Sequence, residues 1–169
     1  MITQITFVSA QGTRLVKGLT YVGTTVNCTP SDGTFKIAAQ TDLDALSNCT
    51  RIVGNILIES ATATSISFPT GIKAWEDLYI NHSSTLKSIQ FSGRQPFLGT
   101  VTLSSLDVLE KVSTDLFSPV FLNLSSLPAL KIWEGKVWPG DGIVVNGTGL
   151  TSLDFLSNMT QSDSLFVSI

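Results

Sequence analysis

Six short apolar segments recur along the chain at an almost constant step. Ile56-Leu57-Ile58, Leu78-Tyr79-Ile80, Val101-Thr102-Leu103, Leu122-Asn123-Leu124, Ile143-Val144-Val145 and Leu165-Phe166-Val167 start 22, 23, 21, 21 and 22 residues apart. One strand-like segment per repeat of about 22 residues is the mark of a solenoid. A repeat of that size cannot bury its own apolar side, so each must stack on its neighbours and extend a shared core. Side chains alternate across a strand, which sends the outer two residues of each triplet one way and the middle one the other. Ile58, Ile80, Leu103, Leu124 and Val145 are therefore expected to form one inward column. Leu57, Tyr79, Thr102, Asn123, Val144 and Phe166 form the opposite, outward row, of which Leu57, Tyr79, Thr102, Val144 and Phe166 are the candidate contact face for a partner.

A second apolar set follows each strand: Leu86, Ile89 and Phe91; Leu106, Leu109 and Val112; Leu127, Leu130 and Ile132; Leu150, Leu153 and Phe155. These predict a second inner wall. The tetrapeptide Leu-Ser-Ser-Leu occurs at 103–106 and again at 124–127, a trace of internal duplication. Gly54, Gly99, Pro119 and Gly142 stand just ahead of strands, where the chain must turn a corner. The gaps between strands are too short and polar for the helices of an alternating α/β fold. The expected fold is all-β-rich, a β-solenoid of about 22 residues per coil.

Composition narrows the function. Charged residues make up only 14% of the 169 positions and hydrophobic ones 43%, which excludes a disordered chain. A net charge of -3 and a pI near 4.9 give no electrostatic footprint for phosphate backbones, so nucleic acid is not an expected partner. No run approaches the 18 or so apolar residues of a membrane span. Residues 1–26 are expected to form a separate segment, non-native or poorly ordered, and 27–169 a single solenoid domain. Met1 to Gln11 lacks the basic start of a signal peptide, and Ser164 to Ile169 lacks the spacer and tail of a lipid-anchor signal. Both ends are read as cut, with the solenoid truncated at its C-terminus.

Six of the seven asparagines, Asn27, Asn48, Asn81, Asn123, Asn146 and Asn158, stand in Asn-x-Ser/Thr, where the Ser and Thr content would give about 1.7 by chance. Asn81, Asn123 and Asn146 fall at outward positions, where a glycan is compatible with folding. Cys28 and Cys49 are the only cysteines. They could be free core thiols, but the sequons argue for an oxidising compartment and hence a disulfide. Thr41, followed three residues later by Asp44, resembles a capping box. A short helix there would lay Leu43 and Leu46 over the end of the solenoid.

Catalytic chemistry is poorly represented. The single histidine, His82, lies inside the Asn81 sequon, and with two cysteines paired neither a zinc site nor a Ser-His or Cys-His nucleophile can be assembled. No metal or cofactor is expected. Glu59 and Asp77 lie on neighbouring strands and Asp141 in the turn Pro139-Gly140-Asp141-Gly142, which reads as solubilising charge and a tight turn rather than as an acid/base pair. Trp75 and Trp133 fit packing roles; Trp138, beside Pro139, is the better candidate for a surface that stacks on sugar rings.

The run Asp42-Leu43-Asp44-Ala45-Leu46-Ser47-Asn48-Cys49-Thr50-Arg51-Ile52-Val53-Gly54-Asn55-Ile56-Leu57-Ile58 resembles the opening of the receptor L domain found in insulin and epidermal-growth-factor receptors. It is still more similar to the start of fungal cell-wall-organisation proteins of the sporulation-specific and GPI-anchored type. Gly149-Leu150-Thr151-Ser152-Leu153-Asp154 matches a motif near that family's last coils. The resemblance covers about residues 27–169. It implies a right-handed β-solenoid, leucine-rich-repeat-like, N-glycosylated and carried outside the cell to the membrane or wall, with a structural role and no enzymatic one. Wall polysaccharide or a cell-surface protein would be the partner. The alternatives are a ligand-binding receptor-type L domain, with the outward row as its contact face, and a β-helical carbohydrate-active enzyme.

Overall fold

The computed structural model describes residues 5–9, 12–14, 26–156 and 164–168. A parallel sheet of seven strands runs the length of the molecule, in the order Thr34–Ile37, Asn55–Glu59, Leu78–Asn81, Thr100–Ser104, Phe121–Leu127, Gly142–Thr148 and Ser164–Ser168. Each strand pairs with the next coil's equivalent, so Ile58, Ile80, Leu103, Leu124 and Val145 lie in one register row. All five are buried, as are their inward partners Ile56, Leu78, Val101, Leu122 and Ile143. The expected inward column is present, within a β-solenoid of about six turns. Each fully buried Leu or Ile contributes about 1.5–3 kcal/mol.

The solenoid starts one coil earlier than the six-segment repeat predicts. Phe35 and Ile37 are buried, and their strand pairs in register with Ile56 and Ile58, placing a first coil 21 residues upstream. Cys28 and Cys49 therefore bracket a coil of the solenoid. They are bonded, with a Cα–Cα distance of 5.8 Å. Cys28 itself lies on Val26–Pro30, which pairs antiparallel with Ile5–Ser9 and parallel with Arg51–Ile52; Ile5–Ser9 also pairs with Gly12–Arg14.

The second wall is a four-stranded parallel sheet, Ser65–Phe68, Ser88–Pro96, Lys111–Ser118 and Ile132–Glu134. Parallel bridges Trp75↔Phe97 and Phe117↔Val137 mark a third, narrower side. One expectation fails here. Ile132 is not in the wall but 47% exposed, because the strand's alternation hands the inward place to Trp133, which pairs with Val112. The aromatic residues form a spine the sequence did not reveal. Phe68 stacks on Phe91 and Phe117 lies tilted against Phe91, each pair at 4.6 Å, and Trp133 stacks on Phe155 at 4.6 Å. Such pairs add about 0.5–1.5 kcal/mol beyond area burial.

Corners repeat as faithfully as strands. Ser60, His82, Ser105, Ser126 and Gly147 each follow a strand position of the long sheet and share φ between 51° and 61°. Four non-glycine residues thus hold a left-handed conformation that costs about 1 kcal/mol or more each, kept in place by the stacking of coil on coil. At the opposite corner Gly54, with φ 115°, has no room for a Cβ, which would sit 2.8 Å from the Gly33 carbonyl oxygen. Its N–H donates to Glu76 Oε2 at 2.6 Å, and Thr100 N–H to Asp77 Oδ1 at 2.6 Å.

The N-terminal end carries the helix Gln40–Asp44, with Leu43 and Leu46 buried as expected. Its cap differs from the one expected. Ala39 is the N-cap, and the Asp42 carboxylate, not that of Asp44, accepts the N–H groups of Ala38 and Ala39 at 2.9 and 3.1 Å. Gln40 then seals the edge of the second sheet: its Nε2 donates to the Ser67 carbonyl at 2.8 Å while its Oε1 accepts the Ser67 N–H at 2.7 Å. Gln40→Ala should lower stability by about 1–3 kcal/mol, measured by urea denaturation, since both Ser67 groups lose their partner.

Candidate functional site

The outer face of the long sheet holds the proposed contact residues. Leu57, Tyr79, Thr102, Asn123, Val144 and Phe166 lie side by side in one register row across six strands. The first five are half-buried and Phe166 is 65% exposed. Two residues of this face were missed. Lys36 extends the row at the added first coil, and Phe121 lies in the adjacent row beside Thr100 and Gly142. Both signals were available: Lys36 stands 21 residues before Leu57, and Phe121 two before Asn123, hence on the same face.

A second outer row reads Glu59, Asn81, Ser104, Ser125 and Asn146. The sequon asparagines are thus spread over the face, with Asn123 at its centre and Asn81 and Asn146 along one border. Asn146 and Asn48 are exposed, and Asn27 is half-buried on Val26–Pro30. Asn158 lies outside the described residues. The amide oxygens of Asn27, Asn81 and Asn123 are enclosed and have no hydrogen-bond partner. The Tyr79 hydroxyl is held protonated above the usual phenol range, first by desolvation and then by the Asp77 carboxylate.

The carboxylates do not converge. Glu59 is in register with Asn81, whereas Asp77 precedes Leu78 at the other end of that strand, about four positions or ~13 Å away. Asp77 braces a corner and Asp141 is an exposed turn residue. His82 occupies a left-handed corner with its Nδ1 3.8 Å from Glu59 Oε1, both side chains open to solvent. On the second sheet the Lys111 ammonium, bonded to Glu134, lowers the Glu134 carboxyl below its ordinary range. Among the described residues no group of three or more His, Cys, Asp or Glu could hold a metal ion.

Trp75 is fully buried, its Nε1 donating to Gln95 Oε1 at 2.8 Å, and Trp133 is built into the aromatic spine. Trp138 is half-buried on the third side. Among the described residues no helix is long and apolar enough to cross a membrane.

The chain is similar to fungal cell wall proteins. It is 28% identical over 137 residues to the cell wall protein ecm33 of Schizosaccharomyces pombe, and 27% identical over 135 residues to the protein ecm33 of Aspergillus fumigatus. Each match covers 78% of this chain, and the chain spans about a third of those relatives, 32% and 34% of their lengths. The resemblance drawn from the opening motif therefore extends over 78% of the chain. No family model matches the chain, and no solved structure matches it.

Proposed function

We propose that this chain belongs to a non-enzymatic glycoprotein of the fungal cell surface with a structural role in cell-wall organisation. Residues 27–169 act as one right-handed β-solenoid of the receptor L-domain kind, secreted and held at the membrane or wall. The observation that carries the reading is the similarity to fungal cell wall proteins over 78% of the chain, coinciding with a stacked-coil architecture. The mechanism is physical. Continuous parallel ladders and an aromatic spine make a stiff rod that displays glycans and makes weak contacts with wall polysaccharide or a neighbouring surface protein.

A receptor-like reading draws support from one feature, the half-apolar outer row ending in the exposed Phe166. The two readings part in a pull-down: weak retention on several insoluble wall polysaccharides favours the structural role, and tight retention of one soluble ligand, lost with Tyr79→Ala, favours the receptor. Catalysis on glucan or pectin is expected to be nil, given the wide separation of Glu59 and Asp77, and reducing-sugar release reads this directly. For the wall role itself, a strain lacking the gene should become sensitive to wall-perturbing dyes and recover with the native gene but not with one carrying Leu103→Asp. Unchanged dye resistance in the deletion strain would contradict the proposal.

A further inference from the structure

In alternating α/β folds a parallel sheet has a layer packed on each face, whereas a solenoid sheet packs on the core with its inner face alone. The long sheet has the core on one side, and among the described residues no strand or helix covers the other. That outer face is neutral through its middle: Tyr79, Asn81, Thr100, Thr102, Ser104, Phe121, Asn123, Ser125, Val144 and Asn146 include no charged residue. Asn123 stands at the centre, between Thr102 and Val144 across the strands and between Phe121 and Ser125 on the same side of its own strand. Thr102 and Val144 suit a strand surface better than asparagine does. The amide oxygen of Asn123, like that of Asn81, is also enclosed. With that oxygen turned in, the amide nitrogen is the end left toward solvent.

We infer that Asn123 carries an N-linked glycan whose first sugars lie across the outer row and form an outer layer over the sheet. The inference rests on the glycoprotein reading above. In the modification, the Asn123 amide nitrogen bonds to C1 of the first sugar as the C1–O bond to a lipid-linked diphosphate breaks; the diphosphate leaves and the nitrogen gives up one proton. The middle residue of the sequon, Leu124, is fully buried. At the Asn81 sequon, the Ser83 hydroxyl donates to the Ala61 carbonyl at 3.0 Å and is buried. A transferase reaches such residues only before the chain folds, so the sugar is in place while the sheet forms. Afterwards the apolar face of a pyranose ring can rest on Tyr79 and Phe121, and its hydroxyl edge can pair with Thr102 and Ser125.

The test is secretion of the chain from a fungal host as wild type, S125A, N123Q and N146Q. S125A removes the sequon while leaving Asn123 in place, and N146Q removes a glycan from an exposed border residue. Glycopeptide mass spectrometry should find Asn123 occupied in the wild type. S125A and N123Q should bind about twofold more of an apolar dye and melt about 4 °C lower, while N146Q changes neither. Where a variant fails to be secreted, enzymatic trimming of the folded wild-type glycan down to its root reads the same two signals. An unoccupied Asn123 in a sample whose Asn48 or Asn146 is occupied overturns the inference and leaves the glycoprotein reading intact; no occupied sequon in a secreted sample overturns both. An occupied Asn123 whose loss changes neither dye binding nor melting also overturns it.

Discussion

Leu103→Asp is expected to leave no folded protein. Leu103 has no solvent exposure and sits in the middle of the inward column, with Ile80 on one side and Leu124 on the other. Neither of these neighbours can pair with a carboxylate. Burying that carboxyl, charged or forced to protonate, and losing the leucine's packing together cost an amount comparable to the about 5–15 kcal/mol by which a domain of this kind is stable. Because every coil supports the next, the lesion cannot be confined to one rung. Far-UV circular dichroism should show loss of the β signal, and a secreting host should retain the variant. Leu103→Ile, which keeps volume and chemistry, should cost under about 1.5 kcal/mol. A Leu103→Asp protein that melted like the wild type would mean that the register is wrong.

Cys49→Ser carries the second largest expected loss, about 2–5 kcal/mol by denaturant titration. The bridge closes a loop of 21 residues that holds the first coil strand, Thr34–Ile37, and the helix Gln40–Asp44. Both sulfurs are buried. Cys28 lies at the head of the third side, where its strand pairs with Arg51–Ile52. Without the bridge, the end of the rod is still held by Phe35, Ile37, Leu43 and Leu46, by the ladder to Asn55–Glu59 and by the Gln40–Ser67 pairing, but with one coil's neighbours on one side only, so the loss should appear first as faster proteolysis within residues 26–50. Equal stability of the wild type and Cys49→Ser under non-reducing conditions would contradict this.

The coils were legible because a strand period of two and a coil period near 22 are both imposed by packing, and packing writes apolar residues at fixed places. Where the signal was weaker the reading slipped. The first coil lies outside the six-segment repeat, its triplet Phe35-Lys36-Ile37 carrying a charged middle residue where the others are apolar or neutral, although its step of 21 is in the sequence. Ile132 was assigned inward because isoleucine is the more usual wall residue, while the register gave that place to Trp133. The corner ladder of Ser60, His82, Ser105 and Ser126 was invisible, since residues other than glycine rarely announce a left-handed backbone. The aromatic spine depends on contacts between coils that no single repeat contains. The contact row was legible residue by residue, but Phe121 lies outside the repeated triplet.

Function was legible mainly through the run Asp42 to Ile58 and through sequons, and hardly through chemistry. A solenoid that uses its tryptophans for packing and its carboxylates for corners leaves few side chains to advertise an activity. The outer face is defined instead by what is absent from its middle, namely charge, and by asparagines placed where threonine or valine would pack better.

The most direct measurement is fractionation of the natural fungal cell expressing the full-length protein with a small internal tag. The account predicts that the tag co-purifies with plasma membrane and wall, is removed by protease added to intact cells, and shifts to lower mass on treatment with an N-glycan-releasing enzyme. Recovery of the tag in the cytosol, protease-resistant in intact cells and unaltered by that enzyme, would contradict it.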